Sequence, residues 1–249
     1  MRKVRRERVG ELDVVITGGT DGVGGGDGPL VVLLHGFGAP GTDLVGLAPM
    51  LKVPPQTPFA FPAAPLSLAG PDLGFGAMGM MDARAWWLID IERLQGQLMT
   101  GQFERLAAEV PDGLVAARNK IEKTLDELER GLRVPPGQTV LGGFSQGAML
   151  STDVMLRGRR KLAGVVIWSG TVIAEGEWRP LLSSSQGLPI LQSHGVMDPI
   201  LPFESAERLR SHLDGAGAKL DFVAFRGGHE IPDLVLSKTS AFLQRVLMA

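Results

Sequence analysis

One serine stands between two glycines, Gly143-x-Ser145-x-Gly147, within Leu-Gly-Gly-Phe-Ser-Gln-Gly-Ala-Met at residues 141–149. A serine hydroxyl is a poor nucleophile near neutral pH, and a chain can activate it only through its surroundings. This spacing is that of a nucleophile elbow. There the serine occupies a tight strand-to-helix turn, its hydroxyl exposed and the next backbone N–H, here that of Gln146, facing an oxyanion. A β-rich stretch at 138–140 precedes it and a helix-forming run at 148–156 follows, in the required order. The glycines have a steric reason, since a Cβ two residues either side of the serine would crowd the neighbouring strand and helix. Five residues alone also describe a plain turn, so the rest of the constellation has to decide.

An activated serine needs a base, and the base needs a carboxylate to orient it. The chain has four histidines and no cysteine, which excludes a thiolate nucleophile, disulfides and thiolate metal sites. His212 falls inside an amphipathic stretch marked by Ala206, Leu209 and Leu213, away from strand ends, and reads as a surface or helix-packing residue. His35 precedes Gly36-Phe37, where backbone N–H groups could point inward, and is expected to hold that loop by hydrogen bonds. His194 lies four residues before Asp198 and reads as structural; no partner at metal-site spacing accompanies it. His229 follows a strand-like stretch and two glycines, which leaves it free to approach Ser145. Among carboxylates, Asp153 is explained by a solvated helix face and Asp233 by a helix N-terminus. Asp198, before Pro199 at a strand end, is the better-placed acid.

The elements that must position these groups can be read from periodicity. Strands are predicted at 11–17, 30–34, 59–61, 163–168, 188–192 and 220–225, and helices near 43–51, 85–93, 114–132, 206–213 and 234–247. Leu114, Ile121, Leu125, Leu128 and Leu132 form the clearest apolar helical face, with Asp112 as its expected N-cap. The fully apolar run 30–34 suits a strand buried on both faces of a parallel sheet. The glycine-rich stretch 18–28 leads into a strand and lacks a Gly-Lys-Ser/Thr ending, so a mobile hairpin loop is expected rather than a phosphate cradle. Residues 171–187 read as a polar loop. Strands alternating with helices imply an α/β fold with a mainly parallel sheet and helices on both faces. In such sheets functional groups gather after the carboxyl ends of strands. Ser145, Asp198 and His229 all do so, in the chain order of α/β-hydrolases.

Leu-Leu-His-Gly-Phe-Gly-Ala (33–39), Gly-Gly-Phe-Ser-Gln-Gly-Ala-Met (142–149), His-Gly-Val-Met-Asp-Pro-Ile-Leu-Pro (194–202) and Gly-Gly-His-Glu-Ile (227–231) together resemble the phospholipase/carboxylesterase family. These are serine hydrolases that include acyl-protein thioesterases, and the resemblance covers most of the chain. It implies an α/β-hydrolase fold, with Ser145 as nucleophile, Asp198 as acid and His229 as base. It also implies oxyanion donors at the backbone N–H groups of Phe37 and Gln146. The stretch Ala85-Trp86-Trp87-Leu88 loosely resembles the family's Trp-containing segment near the acyl site. The first 28 residues and 62–81 depart from the family pattern.

The 249 residues, with no repeat, low-complexity tract or long linker, are expected to form one domain without a separate cap. Residues 62–81 are too apolar for an idle surface loop and are expected to wrap over the functional edge. Leu73, Phe75 and Met78, with Met80, Met81, Trp86 and Trp87, could line an acyl pocket or simply pack that loop onto the sheet. A formal net charge of −2 gives no electrostatic case for nucleic acid or anionic lipid. No run resembles a signal peptide or a membrane span, and the absence of cysteine fits a cytoplasmic enzyme. The expected activity is hydrolysis of short- to medium-chain carboxylic esters, small molecules, through an acyl-enzyme, with no cofactor or metal. The alternative is an acyl-protein thioesterase or lysophospholipase acting on long chains, with an acylated protein as partner. A peptidase of this fold would usually carry a further domain or a charged pocket. A non-catalytic binding protein should have lost one of the residues above. Because the base must be neutral, activity is expected to fall as pH drops through roughly 6–7.

Overall fold

In the computed structural model, which describes residues 3–69, 81–100, 103–158 and 160–248, the apolar run 30–34 is strand β3 (Leu30–Leu34). Side chains alternate across a strand, and β3 divides its residues accordingly. Leu30, Val32 and Leu34 enter one core, and Val31 and Leu33 the other. Strand β8 (Gly164–Trp168) does the same, with Val165 and Ile167 on one side and Val166 and Trp168 on the other. A strand with water on neither face needs apolar residues at every position, which is why periodicity is lost there and composition carries the signal.

These strands belong to one eight-stranded sheet. Its order is β1 (Arg5–Val9), β2 (Leu12–Gly18), β4 (Pro58–Pro62), β3, β7 (Thr139–Phe144), β8, β9 (Pro189–Gly195) and β10 (Lys219–Phe225). The pairs β1–β2 and β2–β4 are antiparallel, and every pair from β4 to β10 is parallel. Helices α3 (Leu114–Gly131), α4 (Gln146–Arg157) and α6 (Phe203–Gly215) supply one core, and α7 (Asp233–Leu247) with the 3₁₀ stretch Asp43–Met50 supplies the other. Strands β5 (Leu66–Ser67) and β6 (Arg84–Ala85) form a separate two-stranded ribbon, followed by helices α1 (Ile91–Met99) and α2 (Phe103–Ala108).

Several sequence expectations need correction. The helix expected from 85 starts later: Arg84–Ala85 is a strand, and α1 begins only at Ile91. The N-cap of α3 is Gly113 in the left-handed conformation rather than Asp112, so the backbone makes the turn without a side-chain cap. Residues 171–187 include the short helix α5 (Glu175–Trp178) and a 3₁₀ turn (Arg179–Ser185), pinned by the buried Trp178. The glycine-rich stretch 18–28 is not a hairpin, because β4 lies between β2 and β3. Its turn is organised instead by Asp21, whose Oδ1 accepts the N–H groups of Val23 at 2.8 Å and Gly25 at 2.7 Å. Strand β1, a charged edge strand, carries no strand signal of its own because arginines and glutamate dominate it. Among the described residues no helix is long and apolar enough to cross a membrane.

Candidate active site

The elbow stands where the sheet is most enclosed. Strand β7 is paired on both sides, with β3 and β8, and ends at Phe144; α4 begins at Gln146. Ser145 between them has φ 55° and ψ −118°, a conformation that costs a non-glycine residue about 1–3 kcal/mol. It is held there from both ends. Its N–H donates to the Trp168 carbonyl at 2.9 Å, and its own carbonyl accepts the N–H groups of Ala148 and Met149 at 3.0 and 3.1 Å. The flanking glycines are sterically obligatory. A Cβ on Gly143 would meet Leu34 O at 2.5 Å, and one on Gly147 would penetrate the backbone of Leu34 and His35. Helix α4 therefore packs directly onto the end of β3 and begins at the residue after Ser145, and a helix N-terminus favours a developing negative charge.

His229 lies in the turn after β10 and Asp198 in the turn after β9. The imidazole Nδ1 is 2.7 Å from Asp198 Oδ2. With Nδ1–H donated to the carboxylate, Nε2 keeps its lone pair as an acceptor. The His229 ring packs against Phe144 at 4.7 Å between centroids, so the residue preceding Ser145 forms one wall of its seat. Asp198 is fixed in turn: Oδ1 accepts the N–H groups of Ile200 and Leu201, each at 2.9 Å. Burial pushes its pKa up, but the bonds from His229, Leu201 and Ile200 outweigh that and hold the carboxyl below the usual range. His194, within β9, places Nε2 at 2.8 Å from the Leu201 carbonyl and 3.4 Å from Asp198 Oδ2. Burial lowers its pKa, so the neutral ring donates to this turn from beneath.

The loop after β3 closes the third side. His35 is buried, with Nδ1 2.8 Å from Gly36 O and Nε2 accepting the Ala64 N–H at 3.0 Å. Desolvation lowers its pKa to about 4, and nearby Arg84 adds to the effect against the bond to Gly36. It is a neutral strut, as expected from its place before Gly36-Phe37. Gly36, Phe37, Ser145, Gln146 and His229 all line one cleft of about 850 Å³. Much of its wall is apolar, including Trp87, Leu88, Ile91, Met149 and Val172.

Of the residues expected at an acyl pocket, Trp87 lines this cleft, while Trp86 does not. Trp86 is buried behind it, its indole N–H donating to the His35 carbonyl at 2.9 Å. Leu73, Phe75, Met78 and Met80 lie outside the described residues, and Met81 is exposed. Asp153 is not on a solvated face. It is fully buried on α4 between Arg118, Arg157 and the Trp178 indole, because α3 and the 175–185 turns cover that side of the helix. His212 packs on Glu175 at 2.6 Å, remote in role from the cleft. Sequence reasoning missed Val172 and Ile173, which follow β8 at its carboxyl end and could have been flagged by the strand-end rule. It also missed the Gln146 side chain, for which no spacing offers a signal. Among the described residues no cluster of three His, Asp or Glu side chains is placed to hold a metal.

The sequence model of the Phospholipase/Carboxylesterase family matches residues 26–247, which hold six of the eight strands of the main sheet and every residue that lines the cleft. The chain belongs to this family. Within it, acyl-protein thioesterase 1 of Saccharomyces cerevisiae is 31% identical over 182 residues, covering 69% of this chain and 71% of that protein. Acyl-protein thioesterase 1 of Eremothecium gossypii is 27% identical over 224 residues, 88% of each chain. The crystal structure of esterase PE8 superposes with a TM-score of 0.74 at 26% identity, covering 98% of this chain and all of that one. The family's α/β-hydrolase fold is thus the fold described above.

Proposed function

We propose that this carboxylic ester hydrolase uses Ser145 as nucleophile, His229 as general base and Asp198 as its orienting acid, on esters of short to medium acyl chains. One observation supports the reading above the others: Ser145, on its strained turn, and His229, tied to a buried Asp198, line the same cleft. Ser145 Oγ attacks the ester carbonyl while its proton passes to His229 Nε2. The tetrahedral oxyanion is held by the backbone N–H groups of Phe37 and Gln146, each contributing about 3 kcal/mol in comparable sites. Collapse expels the alcohol, which takes the proton from His229, and water then repeats the sequence on the acyl-enzyme. Asp198 fixes the tautomer and stabilises the imidazolium. The chemistry closes with these side chains and water, in one domain spanning 1–249, and requires no cofactor.

A second reading, thioester hydrolysis on acylated proteins, is favoured by the relatives named above and by the cleft's rim. Leu66, Leu88, Ile91 and Ile200 line the cleft yet are exposed, which suits a substrate that brings its own lipid chain to the mouth. Turnover of p-nitrophenyl esters from acetate to palmitate, beside a palmitoyl-thioester peptide, tests both. A Ser145-dependent optimum at short or medium esters supports the first reading, and preference for the long thioester supports the second. Turnover retained in Ser145→Ala would overturn both.

A further inference from the structure

The two backbone amides assigned above to the oxyanion come from different elements, the loop after β3 and the N-terminus of α4. Their separation therefore depends on whatever joins those elements. Beside the direct β3–β7 pairing and the packing of α4 on the end of β3, residues 84–87 bridge the two. Toward the loop, Gly38 N–H donates to Arg84 O at 2.9 Å and Arg84 N–H to Ala39 O at 3.2 Å. The Trp86 indole N–H donates to His35 O at 2.9 Å, one residue before Gly36-Phe37. Arg84 also reaches Ala64 O at 2.9 Å, and the Ala64 N–H returns to His35 Nε2 at 3.0 Å, closing the circuit. Toward the elbow, the hydrogen bonds among the described residues are made by the Gln146 side chain. Gln146 Oε1 accepts the Trp86 N–H at 2.9 Å, and its Nε2 donates to the Trp87 carbonyl at 2.9 Å.

Gln146 is 1% exposed, so both of its amide bonds are made away from water. A primary amide carries donor and acceptor on one planar group, which is what the Trp86 N–H and the Trp87 C=O together require. No other uncharged side chain of that length pairs with both. We propose that the Gln146 side chain and the Trp86 indole are positioning residues that set the spacing of the two oxyanion donors. They clamp the strap 84–87 to the elbow and to the His35 loop, respectively. Gln146 thereby serves the site twice, its backbone amide facing the oxyanion and its side chain fixing where the opposite donor stands. The proposal rests on the catalytic reading given above. It also accounts for Trp86 lying behind the cleft rather than in it.

The test compares wild type with Gln146→Met, which keeps length and the backbone amide but removes both amide bonds, and with Trp86→Phe, which removes the indole donor. Gln192→Met is the control: Gln192 is equally buried, on β9, and donates to Ala206 O at 2.8 Å. Each variant is measured for Tm, for kcat and KM on the best p-nitrophenyl ester, and for affinity toward two inhibitors. One is a trifluoromethyl ketone of the same acyl chain, which adds to the serine and presents an oxyanion. The other is a non-reacting ether isostere. Misplacement of a donor by a fraction of an ångström should lower kcat about 30-fold in Gln146→Met and about 10-fold in Trp86→Phe. KM and ether affinity should stay within threefold, and ketone affinity should fall in parallel with kcat. Gln192→Met should lose Tm without losing kcat. A folded Gln146→Met with kcat within threefold of wild type would overturn the proposal, as would a kcat loss without loss of ketone affinity. Turnover surviving Ser145→Ala would instead overturn the catalytic reading, so the two failures are distinct.

Discussion

His35 makes the stability of this protein depend on pH in a way its structure quantifies. The neutral ring donates Nδ1–H to Gly36 O and accepts the Ala64 N–H at Nε2. A second proton would set two donors face to face in a buried site, and burial itself disfavours the charge, so the folded pKa falls from 6.5 to about 4. Below 6.5 the unfolded chain takes up a proton that the native chain refuses. Stability is therefore full above the unfolded value, falls as pH drops from 6.5 toward about 4, and levels off below that. At about 1.4 kcal/mol per pH unit the whole effect is about 3 kcal/mol, of which about 2 kcal/mol should appear between pH 7 and pH 5.

The perturbation that isolates it is His35→Gln, whose Oε1 can still accept the Ala64 N–H but which does not titrate. Urea unfolding of both proteins, followed by tryptophan fluorescence at pH 7, 6 and 5, gives the two stability curves. Carboxylates and His194 titrate in both proteins and cancel in the difference. The advantage of wild type over His35→Gln should shrink by about 2 kcal/mol from pH 7 to pH 5. A difference constant to within about 0.5 kcal/mol would refute the assignment of His35 as a buried neutral strut.

Other expectations follow from single contacts. Asp198→Asn should keep the turn, since an amide oxygen can still accept from Ile200 and Leu201, yet lower kcat about 10⁴-fold by reversing the imidazole tautomer. Steady-state kinetics showing less than a tenfold loss would refute that role. Gly147→Ala should cost at least about 3 kcal/mol, because the new methyl meets rigid backbone of Leu34 and His35 rather than yielding side chains; a Tm within two or three degrees of wild type would contradict the packing described. Asp153→Asn should cost about 3 kcal/mol by leaving Arg118 without its buried counter-charge and Arg157 with only the more exposed Glu177. An unchanged urea midpoint would refute the buried pairing as a source of stability.

Much of this protein was legible from residues alone, and the reasons are local. The elbow announces itself because a strand-to-helix reversal around a serine tolerates no Cβ at positions 143 and 147, which leaves a pattern in the chain. The buried strands at 30–34 and 164–168 are legible because a strand covered on both faces must be apolar throughout. The amphipathic face of α3 is legible because only one of its sides is covered. What stayed hidden depends on partners distant in sequence. The charged edge strand β1 is a strand because β2 pairs with it, and its own side chains say nothing of that. Asp153 looks like a surface carboxylate until α3 brings Arg118 across 35 residues to bury it. The cap of α3 at Gly113 is a backbone conformation, invisible beside an acceptable Asp112. Gln146 and Trp86 are ordinary residue types whose work lies in bonds across about 60 residues. Local sterics and solvent exposure write themselves into the sequence as spacing and periodicity, whereas a hydrogen bond between elements leaves no mark until the tertiary fold brings donor and acceptor together.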